Sequence, residues 1–219
     1  QMNTLKVPRG GEYQLVLADG TRVWLNSETE IAFSVPFDKH QRHVFLKGEA
    51  YFDVAHDKQR PFIVSTKQQD VEVLGTEFNI RAYSDKKSTI TTLVEGKIKT
   101  DLDLLSKEHK VEVLLPNQQL IFDTDNLKSV KHHVDPYPFT AWKNGRFVFR
   151  NETLTDFFQT LERWYDVEIF IQDSSLKNIR YTGDLPRYKN LESILKLIEI
   201  EMGVKIKYDG EKKIYITRK

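Results

Sequence analysis

The chain has 219 residues with 33 Lys+Arg against 32 Asp+Glu, so it carries no electrostatic footprint for nucleic acid or an anionic membrane. It is 39% hydrophobic and 11% aromatic, enough to build a core and against intrinsic disorder. There is no cysteine, which excludes disulfide scaffolds, thiolate metal sites and thiol nucleophiles. No apolar run approaches the roughly 20 residues of a membrane span. Gln1 to Arg9 is polar and lacks the apolar stretch of a signal peptide. The chain reads as cytosolic or as a soluble piece of a longer protein.

The first half alternates apolar and polar residues. Leu15 and Leu17, then Asp19-Gly20, then Val23 and Leu25 predict a hairpin on a two-residue type I′ turn. Further β-rich runs are Val44–Val54, Phe62–Ser65, Val71–Leu74, Glu77–Tyr83, Thr89–Val94, Lys97–Thr100, Val111–Leu115 and Gln119–Phe122. Gly48, Gly75 and Gly96 interrupt them, as at bulges or corners. No helical period precedes about residue 150. Many short strands with corners predict an all-β twisted sandwich or roll over residues 1–135. Asp123 to Val134 has few large apolar residues, and Asp135-Pro136-Tyr137-Pro138 reads as an extended linker.

Residues 136–219 change character. Phe147-Val148-Phe149 reads as a strand. Leu154, Phe157, Phe158, Leu161 and Trp164 then fall on one helical face, with Asn151, Thr153 and Thr155 as candidate caps. Val167, Ile169 and Ile171 alternate as a strand. The pattern returns 37 residues later: Leu191, Ile194, Leu195 and Ile198, capped by Asn190, then Val204 and Ile206. One constant interval predicts tandem βαβ units, although the second leading strand, near Tyr181 and Leu185, fits less well. A last hairpin runs through Asp209-Gly210, with Glu211 and Lys212 able to lengthen its loop. The fold class is mixed β and α+β: an all-β first domain and a small βαβ-repeat second domain.

Chemistry-bearing motifs are scarce. His40 and His43 stand three apart in a basic polar segment with no partner motif for a metal; they read as a solvated loop. His132 and His133 read as linker residues pointing opposite ways, and His56 and His109 as exposed. No nucleophile elbow, phosphate loop or dinucleotide fingerprint occurs. The expectation is no enzyme, no catalytic residue, no metal and no cofactor. Trp24, Tyr51, Phe52, Trp142, Trp164 and Tyr165 are candidate glycan-stacking rings, with core packing the simpler account. The terminal strand Lys212–Thr217 is expected at a sheet edge, where Ile214, Tyr215 and Ile216 could accept a partner strand, with its lysines guarding the edge otherwise.

Six phrases occur in order: Leu17–Asn26 (LADGTRVWLN), Arg42–Val54 (RHVFLKGEAYFDV), Pro61–Val64, Val71–Ile80 (VEVLGTEFNI), Thr92–Ile98 and Leu115–Leu120. Trp142–Phe149 (WKNGRFVF) and Leu161–Ile169 (LERWYDVEI) follow. Together they resemble the periplasmic region of the FecR-type anti-sigma factors, and the second half resembles the STN module of secretins and TonB-dependent transducers. Asn117 stands where that family often has glycine, and Asn tolerates the left-handed region. The resemblance implies a periplasmic signal receiver. It would bind the signalling domain of an outer-membrane TonB-dependent transducer and control an extracytoplasmic-function sigma factor through a cytoplasmic segment and a membrane helix upstream of residue 1. It implies no nucleic-acid contact and no membrane contact by this region. The alternative is a glycan-binding or structural interaction module of an outer-membrane uptake system.

Overall fold

A computed structural model of the chain describes residues 2–103 and 109–219. It divides into two units, Gln1–Pro8 with Glu12–Thr140, and Arg9–Gly11 with Ala141–Lys219. The first unit holds β1 (Met2–Val7), β2 (Tyr13–Val16), β3 (Arg22–Leu25), β4 (Thr29–Ser34), β5 (Arg42–Asp53), β6 (Phe62–Ser65), β7 (Gln69–Val73), β8 (Glu77–Ala82), β9 (Ser88–Glu95), β10 (Ile98–Asp103), β11 (His109–Leu114), β12 (Gln118–Asp123) and β13 (Lys128–His133). It ends in one helical turn, α1 (Tyr137–Thr140).

Strand β5 organises this unit. Its first half pairs with β4 and, in parallel, with β6; its second half pairs with β3 and β8. The strands thus form two layers sharing β5: β1-β4-β5-β6-β7-β10-β11 and β2-β3-β5-β8-β9-β12-β13. Gly48 sits where β5 leaves one layer for the other, with φ +111°. A Cβ there would lie 2.5 Å from Thr29 Oγ1, so glycine is required by space as well as by backbone. Val44, Leu46, Ala50 and Phe52 face inward along the whole strand and meet residues of both layers. Phe52, Phe62 and Phe78 are fully buried, each worth roughly 1.5–3 kcal/mol. One polar bridge crosses this core: Gln69 Nε2 donates to Thr91 Oγ1 at 3.1 Å and to Thr100 Oγ1 at 2.8 Å.

Several expectations change. The β2–β3 connection is not a two-residue turn. Val16 pairs with Arg22, leaving residues 17–21 as a loop in which Gly20 takes φ +87°. The reason is Asp19, whose carboxylate accepts from Thr21 N and Thr21 Oγ1 at 3.1 and 2.7 Å and so winds the loop around itself. The polar segment 123–134 contains a strand, β13, at the edge of its layer, with His132 and His133 in it. The expected extended linker at 135–138 turns helical from Tyr137 onward instead, since Asp135 Oδ1 accepts from Tyr137 N at 3.0 Å and starts the turn of α1. Asn117 does take the left-handed region, φ +63°.

The second unit runs β14 (Arg146–Thr153), α2 (Leu154–Tyr165), β15 (Glu168–Ile171), β16 (Arg180–Pro186), α3 (Leu191–Glu201), β17 (Val204–Asp209) and β18 (Lys213–Arg218). Thr153 caps α2, accepting from Asp156 N at 3.0 Å, and Asn190 caps α3, accepting from Ser193 N at 2.9 Å. The predicted apolar stripes of both helices lie in one core with Phe149, Val204, Ile214 and Ile216. Strand–helix–strand occurs twice in order, but the strands of each unit part company. β14 pairs antiparallel with β16, while β15, β18 and β17 form a separate sheet.

Candidate interaction surface

The terminal strand is not at an edge. β18 lies in the middle of its sheet, parallel to β15 and antiparallel to β17. The α3–β17 segment returns the chain so that β18 enters between strands already laid down. No edge of β18 is open to an added strand. Ile214 and Ile216 are 1% and 0% exposed; they face the helices. Tyr215 points the other way and is half-buried.

Its face of the sheet is the candidate surface. Register places Phe170, Tyr215 and Lys207 in one row across β15, β18 and β17. The Phe170 and Tyr215 rings stack at 5.2 Å, 22° from parallel, and Phe170 remains 42% exposed. The row to one side is Glu168, Lys213 and Asp209; to the other stand Lys205 and Thr217. Lys205, Lys207 and Lys213 are all exposed. The sheet thus presents an aromatic centre with a predominantly basic rim. Aromatic rings anchor interfaces, and rim charges steer association. Sequence reasoning reached Tyr215 but missed Phe170, because the parallel pairing of β15 with β18 leaves no local signal.

Two further clusters have structural roles. Arg187 is fully buried, its guanidinium 3.8 Å from the Trp164 ring centre and near Trp142 and Phe147. Its Nη1 donates to Trp142 O at 2.9 Å, and Trp164 Nε1 donates to Arg187 O at 2.7 Å. Trp142 and Trp164 are therefore committed to holding a cation within the unit. In the first unit His43 lies in β5, stacked on Phe45, with Nε2 2.7 Å from Ser65 Oγ. Ser65 donates its proton to Asp70 Oδ1 at 2.6 Å, so the ring donates to the hydroxyl. A nucleophilic serine would need the opposite direction. The first unit also has a shallow depression of about 180 Å³ lined by Glu28, Glu30, Lys47, Tyr83 and Asp85 among others. No cluster of three or more potential metal ligands occurs among the described residues. No helix among them is long and apolar enough to cross a membrane.

Residues 3–99 match the family model described as FecR protein, and residues 146–216 match FecR, C-terminal. Two crystal structures of a proposed anti-sigma factor from Parabacteroides distasonis, at 1.65 and 2.50 Å resolution, are similar over nearly the whole chain. Each is 31% identical with a TM-score of 0.89; the first covers 99% of both chains and the second 100% of both. No curated protein matches the chain. With both of its units matched in order and a relative at this identity aligned end to end, the chain belongs to the FecR-type anti-sigma factors.

Proposed function

We propose that this chain is the signal-receiving region of a FecR-type regulator and acts in the periplasm. In this reading the first unit, expected over residues 1–135, is the sensor domain. The second, expected over 136–219, is an STN-like docking module; its two strand–helix–strand passages, whose helices start 37 residues apart, support the likeness. The partner is the signalling domain of a TonB-dependent outer-membrane transducer. The sigma factor is controlled through a segment upstream of residue 1. The reading carries no catalytic step: the chain changes the sigma factor's availability by binding.

The observation that carries this reading is the outward face of the β15–β18–β17 sheet, where Phe170 and Tyr215 stack amid Lys205, Lys207 and Lys213. Tyr215 touches the partner, while Ile214 and Ile216 support it from the core side. Calorimetry against the signalling domain of the neighbouring transducer tests it. Saturable binding at micromolar affinity or better, about −8 kcal/mol or stronger, is expected, weakened about tenfold or more by Phe170→Ala with Tyr215→Ser. Heat-silent mixing with a folded, correctly matched partner would refute the receiver role.

A further inference from the structure

Each helix of the second unit sends one carboxylate to the strand that follows it. Glu162 Oε1 accepts from the Ile169 amide in β15 at 2.7 Å, and Glu199 Oε1 accepts from the Ile206 amide in β17 at 3.2 Å. The two pairs are separated by the same 37 residues as the core stripes. β15 and β17 are the outer strands of their sheet. Amides of an antiparallel strand alternate between its partner and the open side. The Ile206 N–H, bound by Glu199, is one that faces away from β18. It is where the carbonyl of an added strand would bind, and a carboxylate of the same chain already occupies it.

We propose that the outer edge of β17 is a strand-docking site for an extended acidic segment of a partner protein, and that Glu199 holds this edge shut in the unbound chain. β17 exposes Lys205 and Lys207 at alternate positions, with Lys213 on the neighbouring strand. Acidic residues at every second position of an added strand come to lie opposite them. β15 offers a shorter edge, four residues against six, and carries Glu168 outward instead of lysine. The charge pattern therefore selects β17. Glu162 closes the β15 edge in the same way, as protection against pairing between copies. The inference deepens the docking role proposed above and rests on it for the second unit, but not on which protein supplies the strand.

The test uses the full chain and a labelled, acetylated peptide of alternating valine and glutamate, read by fluorescence anisotropy and by hydrogen exchange at Ile206. Glu199→Ala is expected to bind about tenfold more tightly than wild type, the gain of removing one competing hydrogen bond. Lys205→Glu with Lys207→Glu is expected to bind about tenfold more weakly. Glu162→Ala stays within about twofold of wild type, because it opens the other edge. If Glu199→Ala melts early, Glu199→Gln replaces it, with a smaller gain expected from its weaker acceptor. Equal affinity in wild type and a folded Glu199 variant overturns the proposal, as does absence of peptide binding to both. A transducer domain that binds while leaving Ile206 exchange unchanged removes this site and leaves the receiver role standing. Peptide docking as described, with no transducer binding, does the reverse.

Discussion

Arg42 carries a charge with none of its side chain exposed, against an Asp19 side chain that is 4% exposed. Its Nη1 lies 2.8 Å from Asp19 Oδ2 and donates to Ala55 O at 2.7 Å, and its Nε donates to Arg60 O at 2.9 Å. The guanidinium also sits over the Phe62 ring at 5.4 Å. One side chain thereby ties the 17–21 loop, the chain after β5 and the start of β5 together. Removing one member of such a pair strands the other charge in the core, at about 3–5 kcal/mol. Arg42→Ala should lower the unfolding free energy by that much in urea titrations, and Arg42→Met with Asp19→Leu should cost clearly less. A double-variant loss equal to the sum of the Arg42→Met and Asp19→Leu losses would mean that the residues act separately. In the sequence Asp19 is legible only as a turn residue. Its partner is 23 positions away, a distance at which no local rule pairs two charges.

At the scale of elements, the two layers of the first unit meet along the edges β11 and β13 through side chains. Glu112 of β11 takes Lys110 at 2.8 Å and Lys131 of β13 at 3.3 Å, and Lys131 also donates to Val113 O at 3.1 Å. The lysines, Lys110 first, hold the Glu112 carboxyl below its ordinary value of 4.5. A carboxylate whose folded pKa lies below its unfolded one contributes fully above the unfolded value and loses that contribution as pH falls through the folded one. Glu112→Gln should therefore cost about 0.5–1 kcal/mol at pH 7. That difference should shrink below about pH 4.5, as paired denaturation curves would establish. A difference independent of pH would assign the loss to packing. The helices were legible because amphipathic stripes and caps are local: Thr153 and Asn190 stand at the starts of α2 and α3 as their residue types require. β1 and β13 were not legible. Each is an edge strand with mostly exposed side chains, and such a strand has no need of the alternation that marks a buried face. The edge guards Glu162 and Glu199 were equally hidden, since a glutamate on a helix flank looks like any solvated charge.

For the molecule as a whole, the two units draw on separate cores, so a local lesson in one need not reach the other. Truncation after Lys212 removes β18, the strand on which β15 and β17 both depend. The methyl signals of Ile194, Leu195 and Ile198 should collapse to unfolded positions in NMR spectra, while those of Val23, Val44 and Leu93 stay dispersed. Retained dispersion in the α3 residues would refute this dependence. The topology around β18 was the main part of the candidate surface that sequence could not supply, because a parallel partner 45 residues upstream leaves no trace in local pattern. Strand β5 has a consequence for how this family can diverge. Its inward residues keep a single alternation from Arg42 to Phe52 although they serve two layers with different neighbours. Inserting or deleting one residue anywhere in it would turn one layer inside out relative to the other. A change of length is therefore tolerable in the loops around this strand, but the count between Arg42 and Asp53 is fixed by the two layers it serves.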